Sequence, residues 1–202
     1  QGLTQEHCRD LVALYDVNLR YTDDFMAGFL EGLKPLGLDP FAAVIVTSDH
    51  GTCFGEHGML GHIGPPIDEL QHVPLIMVLP GTSQAPGGVV EGLAETTDIA
   101  PTVLSYLGFR IPRRIQGQDL MPVILDEQPT VREYVYSATN LRETEWYGVR
   151  SRDWLHYRDG REGEVWLPVR KGADALAVPA GPGHDVRVRQ EASLAAWLAR
   201  IA

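Results

Sequence analysis

Residues 43–51 read Ala-Val-Ile-Val-Thr-Ser-Asp-His-Gly, and this stretch constrains the fold more than any other. Its first five residues are mostly β-branched and apolar, too few for a helix and without polar alternation. Such a run reads as a strand buried on both faces, as in a parallel sheet covered by helices. It stops abruptly at Ser48-Asp49-His50-Gly51, where a carboxylate and an imidazole are neighbours. Ligands of open α/β sheets gather at the carboxyl ends of strands, so chemistry is expected here. On a continuing strand Asp49 and His50 would face opposite ways. Both reach one cation only if the backbone turns, which Gly51 permits. Without that turn the pair is a capped strand end with a surface histidine. A catalytic metal site needs three or more ligands and an open position, so the pair is part of one at most.

The rest of the chain predicts a helix-covered sheet followed by a small second sheet. Cys8, Leu11, Val12, Tyr15, Leu19, Phe25, Met26, Phe29, Leu30 and Leu33 recur at helical steps, a stripe on one long helix. Thr4 suits its N-cap, Glu6 the dipole of its first turn, and Lys34-Pro35 with Gly37 its end. Asn18 and Thr22 fall on the stripe, where hydrogen-bonded core polar groups are expected. Residues 48–72 form a long loop, and a structureless connection of that length is commonly functional. Leu75 to Leu79 is a second apolar strand of the same sheet, and Val89 to Leu93 a short edge strand. A helix over Asp98 to Leu107 has Thr97 as cap and Gly108 as stop.

After Asp126 the texture changes. Residues 134–138, 146–150, 154–158 and 164–167 are short aromatic-rich strands separated by turns, an antiparallel meander forming its own sheet. Residues 170–184 read as a loose loop, and 192–201 as a closing helix. The expected division is 1–125 for the α/β part carrying the histidine-rich loop, and 126–202 for the sheet and helix.

Composition narrows the function. A formal charge of −10 over 202 residues lacks the basic clustering of a nucleic-acid footprint. No apolar run approaches membrane-spanning length. Two cysteines, far apart, give no disulfide framework. The cellular compartment stays open.

Several segments, in order, resemble the sulfatase family of the alkaline-phosphatase-like superfamily. Asp49-His50-Gly51 and the loop to His62 are similar to its second metal-binding motif. Asp68-Glu69-Leu70, His72-Val73-Pro74-Leu75-Ile76 and Pro80-Gly81 resemble its return strand. Thr97-Asp98-Ile99-Ala100-Pro101-Thr102 and Leu107-Gly108 look like its next helix, and Ile115-Gln116-Gly117-Gln118-Asp119-Leu120 the segment closing its main domain. Leu14-Tyr15-Asp16 through Tyr21 and Asp23 resembles the helix before the metal strand, with Ala27 where glycine is usual. The family's nucleophile is a formylglycine made from Cys or Ser in Cys/Ser-x-Pro-x-Arg. Neither Cys8-Arg9-Asp10 nor Cys53-Phe54-Gly55 fits that pattern. The chain, opening at Gln1, is therefore read as the C-terminal part of a sulfatase-like protein, with formylglycine and the early paired aspartates expected in an N-terminal part.

The resemblance implies a sulfuric ester hydrolase acting on a sulfated small molecule or glycan, as a portion inactive alone. Asp49 and His50 become ligands of a divalent metal, calcium first, with manganese or zinc suited to the imidazole. His62 stands where many members have lysine and others histidine, and becomes a sulfate contact or the acid for the leaving alkoxide. A phosphodiesterase or phosphonate monoester hydrolase of the same superfamily is the alternative, and a non-catalytic binding module the third. Four of the seven histidines fall within residues 50–72. His57 is expected to brace the loop and His72 to be structural, with Glu56 either orienting a histidine or solvated. Asp68 and Glu69 read as solvated rather than ligating, Asp98 as a carboxylate explained by the helix dipole. Trp146, Trp154 and Trp166 read as core packing rather than a sugar platform, and Arg150, Arg152 and Arg158 as water-facing. An apolar strand edge left uncovered would pair with another chain, so self-association is expected.

Overall fold

The computed structural model describes residues 4–82, 88–141, 144–159, 163–169 and 182–201. The chain forms two compact units, residues 1–63 with 69–83, and residues 64–68 with 84–202. The α/β stretch 1–125 contributes to both.

In the first unit, helix α1 spans Gln5–Leu33. Thr4 and His7 close a reciprocal cap: Thr4 Oγ1 accepts from the His7 amide, and His7 Nδ1 accepts from the Thr4 amide, both at 3.2 Å. A 3-10 turn, Lys34–Leu36, and Gly37 at φ +67° end the helix. The apolar stripe is present, but no residue of α1 is buried. Asn18 and Thr22 are correspondingly exposed rather than in a core. They donate to the carbonyls of Leu14 and Asn18 one turn back, at 2.8 and 3.0 Å.

Strand β1 (Val44–Thr47) pairs with β4 (Leu75–Val78), so the two apolar runs share a sheet as expected. The pairing is antiparallel, with Val44 opposite Val78 and Thr47 opposite Leu75. This corrects the expectation of a parallel strand covered on both faces. Burial alternates along β4: Leu75 and Met77 are half-buried, Ile76 and Val78 exposed. Apolar continuity fixed the strand but not the number of covered faces.

The 48–72 connection is not structureless either. Strands β2 (Cys53–Phe54) and β3 (Leu60–Gly61) form a small hairpin around a 3-10 turn, Glu56–Gly58, and α2 (Asp68–Gln71) precedes β4. Tyr15 of α1 meets Phe54 edge-on, centroids 5.2 Å apart. A Cβ on Gly55 would lie 2.8 Å from Cys8 Sγ, so glycine lets α1 approach the hairpin.

In the second unit a 3-10 turn, Thr96–Asp98, leads into α3 (Ile99–Tyr106), and α4 spans Met121–Ile124. The cap is a reciprocal pair of Glu95 and Asp98, not Thr97. Residues 89–93 form no strand. Strands β5 (Val135–Leu141), β6 (Thr144–Arg150), β7 (Trp154–Asp159) and β8 (Gly163–Pro168) make a four-stranded antiparallel meander, separate from the β1–β4 pair. Helix α5 (His184–Ile201) begins earlier than the apolar pattern indicated and packs through Gln190 and Leu194, both buried. Tyr136 stacks on Trp197 at 5.2 Å and its hydroxyl bonds Ser193 at 2.6 Å. The expected loose loop lies largely outside the described residues.

Candidate metal centre

The turn after β1 is built by hydrogen bonds. Ser48 Oγ donates to the His50 carbonyl at 2.8 Å, and the His50 amide donates to Asp49 Oδ1 at 3.1 Å. Gly51 donates its amide to the Leu70 carbonyl at 2.8 Å. A Cβ on Gly51 would lie 2.1 Å from the Glu69 carbonyl oxygen. Glycine is thus required for close backbone approach rather than for an unusual φ.

This turn resolves the strand-geometry problem. His50 Nε2 lies 3.6 Å from Asp49 Oδ2, on a surface where the Asp49 side chain is 86% exposed. Two donors at that spacing can share one cation with bonds of about 2.3–2.4 Å. His50 Nδ1 lies 2.9 Å from the Gly51 carbonyl, which can only accept, so in the neutral ring the proton sits on Nδ1 and Nε2 is the nitrogen that faces Asp49. The carboxyl of Asp49 is held below its ordinary range by backbone hydrogen bonding and by the His50 charge. Among the described residues no three His, Cys, Asp or Glu side chains converge on one point.

His62 joins the pair. Its ring stacks on that of His50, centroids 4.4 Å apart and planes 13° from parallel. The structure therefore brings together Asp49, His50 and His62.

The neighbouring acids have definite partners. Glu69 lies 3.3 Å from His57 Nε2, which braces the loop, and His57 sits in the left-handed region at φ +53°. Glu56 orients no histidine; its Oε2 accepts from the Phe54 amide at 2.6 Å. Asp68 is half-buried and accepts from Arg150 Nε at 2.8 Å, a partner the solvated reading did not include. Arg158 pairs with Glu164 at 3.1 Å. His72 is exposed at the entry to β4. Asp98 needs more than the dipole to explain it: fully buried, it accepts from the amides of Glu95 and Gln118 at 2.8 and 2.7 Å and binds Arg132. Cys53 is buried and its thiol pushed up to about 11 by desolvation and by Glu69 and Glu56, so it is no nucleophile near neutrality. No spacing in the sequence pointed to the Glu69–His57, Asp68–Arg150 or Asp98–Arg132 pairs.

The same fold occurs in a 2-O glycosaminoglycan sulfatase, at TM-score 0.81 and 22% identity, over 99% of this chain and 44% of that one. It occurs also in the phosphonate monoester hydrolase of Agrobacterium radiobacter, at TM-score 0.68 and 23% identity, over 88% and 38%. These define an alkaline-phosphatase-like α/β fold. The sulfatase family model matches residues 2–109, and the chain belongs to the sulfatase family. The N-acetylglucosamine-6-O-sulfatase of Bacteroides thetaiotaomicron is 29% identical over 174 residues, 80% of this chain and 30% of that enzyme. The chain spans between a quarter and a third of the length of such curated relatives.

Proposed function

We propose that the chain is the C-terminal part of a sulfuric ester hydrolase, with residues 1–125 carrying half of a metal site and 126–202 forming its small subdomain. The observation that carries this reading is the His62 ring stacked on His50, itself 3.6 Å from the Asp49 carboxylate. Asp49 Oδ2 and His50 Nε2 would hold a divalent cation, calcium first and manganese or zinc next. When bound, the cation neutralises charge on the sulfate oxygens. His62 then does the chain's own work: protonated, it binds a sulfate oxygen or gives its proton to the departing alkoxide. The nucleophile is a formylglycine in family members, and its Cys/Ser-x-Pro-x-Arg pattern does not occur in these 202 residues. The glycan-directed sulfatases among the relatives favour a sulfated sugar as substrate.

The phosphonate monoester hydrolase of like fold keeps phosphoryl transfer as the second reading. The test is turnover of 4-nitrophenyl sulfate and of phenyl phosphonate esters by the chain combined with a formylglycine-bearing sulfatase N-terminal segment. Sulfate turnover lost in His62→Ala supports the reading. Preferential phosphonate turnover would favour the alternative, and turnover insensitive to Asp49→Ala and His62→Ala would sink both.

A further inference from the structure

The second unit holds a cleft of about 500 Å3, within the ~300–1,000 Å3 range of small-ligand sites. Its walls come from the loop before β5, the β6–β7 turn and the start of α5. The candidate metal residues belong to the other unit.

The polar groups of this cleft divide into those already engaged and those available. Arg132 is ion-paired with Glu95 and Asp98, and exposed Arg152 lies 3.9 Å from likewise exposed Glu91, a pair whose charges cancel. Glu133, Asp153 and Arg189 have no ion-pair partner among the described residues. The balance left for a ligand is two carboxylates against one guanidinium. A polyanion is disfavoured there. Two aromatic side chains, Tyr134 and Trp154, also line the cleft, both half-buried. Neither the Tyr134 hydroxyl nor the Trp154 indole N–H is hydrogen-bonded among the described residues.

Gln190 supplies an independent observation. It lines the same cleft and is 1% exposed. Its Nε2 donates to the carbonyls of Trp154 and Val149, at 3.1 and 3.4 Å, which fixes the amide. Oε1 is left buried without a donor. A buried acceptor in that condition gains from a hydroxyl once the cleft wall yields to admit one.

We infer that this cleft binds an uncharged or amino sugar. Aromatic rings take the C–H faces of a pyranose; carboxylates and an amide oxygen accept from its hydroxyls; Arg189, the indole N–H and the tyrosine hydroxyl donate to its oxygens. A pyranose matches an apolar wall beside hydrogen-bonding groups of both senses. A heavily sulfated residue does not, because Glu133 and Asp153 repel it. The inference does not rest on the proposed hydrolase activity. It would give half-buried Trp154 a role besides the core packing expected of it.

The test is saturation-transfer NMR and calorimetry on the full chain with maltotetraose, N-acetylchitotetraose and chitosan tetrasaccharide, and heparin tetrasaccharide as the anionic comparison. At least one of the first three should bind, with heparin tetrasaccharide weaker. Tyr134→Phe and Arg189→Ala, which leave buried residues intact, should each weaken binding severalfold, and Trp154→Ala by about tenfold or more. Asp49→Ala should leave it unchanged. No transfer to any of the three at about 10 mM, weaker than a millimolar site would give, overturns the inference. So does binding indifferent to both Tyr134→Phe and Arg189→Ala, or tighter binding of the heparin tetrasaccharide.

Discussion

The imidazole of His156 lies flat against the indole of Trp166, ring centroids 4.0 Å apart and planes 5° from parallel. His156 is fully buried and neither ring nitrogen is hydrogen-bonded. Burial pushes its pKa below the ordinary value; Glu164, 3.7 Å away, and Glu191 act against that, and Arg158 with it. The unfolded chain therefore takes up a proton before the folded one does. Stability from this group is intact above the unfolded pKa of about 6.5 and is lost as pH falls from there through the depressed folded value. The melting temperature should drop between pH 7.5 and 5. In His156→Phe, which removes two unpaired nitrogens, that drop should shrink and stability near neutrality should hold or rise. An unchanged pH profile in the variant would refute the assignment.

Asp98 is the anion of a buried cluster, with Arg132 bound also to Glu95 Oε2 at 2.9 Å. Asp98→Ala leaves two amides without their acceptor and a buried guanidinium with Glu95 as its remaining carboxylate. The expected loss is about 3–5 kcal/mol in urea unfolding. A loss under about 1 kcal/mol, the range of a surface pair, would contradict the burial argument.

Gly51→Ala places a methyl group against the Glu69 carbonyl. The backbone on one side must move, at about 1–3 kcal/mol, and the His50 ring moves with it. Calcium affinity should fall together with stability. A variant of normal stability and affinity would show that the turn tolerates a Cβ.

If Asp49 and His50 are the proposed ligands, two donors hold calcium no more tightly than about 10⁻³ M. Calorimetry should find the residual binding abolished in Asp49→Ala. Tight, stoichiometric binding lost in His50→Ala would mean that a fuller shell exists in this chain.

Tyr21, Phe25 and Phe29 of α1 are 73%, 64% and 53% exposed. The β1–β4 ribbon, moreover, has no third strand among the described residues. Contiguous apolar surface of this kind drives association. Light scattering should give a mass above the 22.3 kDa of one chain. Phe25→Lys combined with Phe29→Lys should lower it. A monomer across the micromolar range would rule this out.

The legible parts of the sequence were those fixed by short-range rules. The apolar run before Asp49, the Thr4 cap and the aromatic alternation of residues 134–167 each fixed an element, because periodicity and capping are local. The illegible parts depended on partners distant in the chain. Nothing near Asp98 announces Arg132, 34 residues on, and nothing near Asp68 announces Arg150, 82 residues on. Strand direction failed for a related reason: β4 reads the same whether its neighbour runs with it or against it. At the candidate site, Asp49 and His50 were visible as neighbours, whereas the stacking of His62 requires the β2–β3 hairpin to return the chain.

The buried Arg132 cluster also bears on how the chain is made. Asp98 waits for the Gln118 amide 20 residues later, then for Arg132, and Glu95 for the Tyr136 amide 41 residues later. During synthesis both carboxylates emerge first and stay hydrated, since burying them without the guanidinium is prohibitive. Burial of Asp98 is therefore expected to wait for Arg132, just before the first strand of the meander. In that order of events the arginine ties the packing of this region to the sheet that follows.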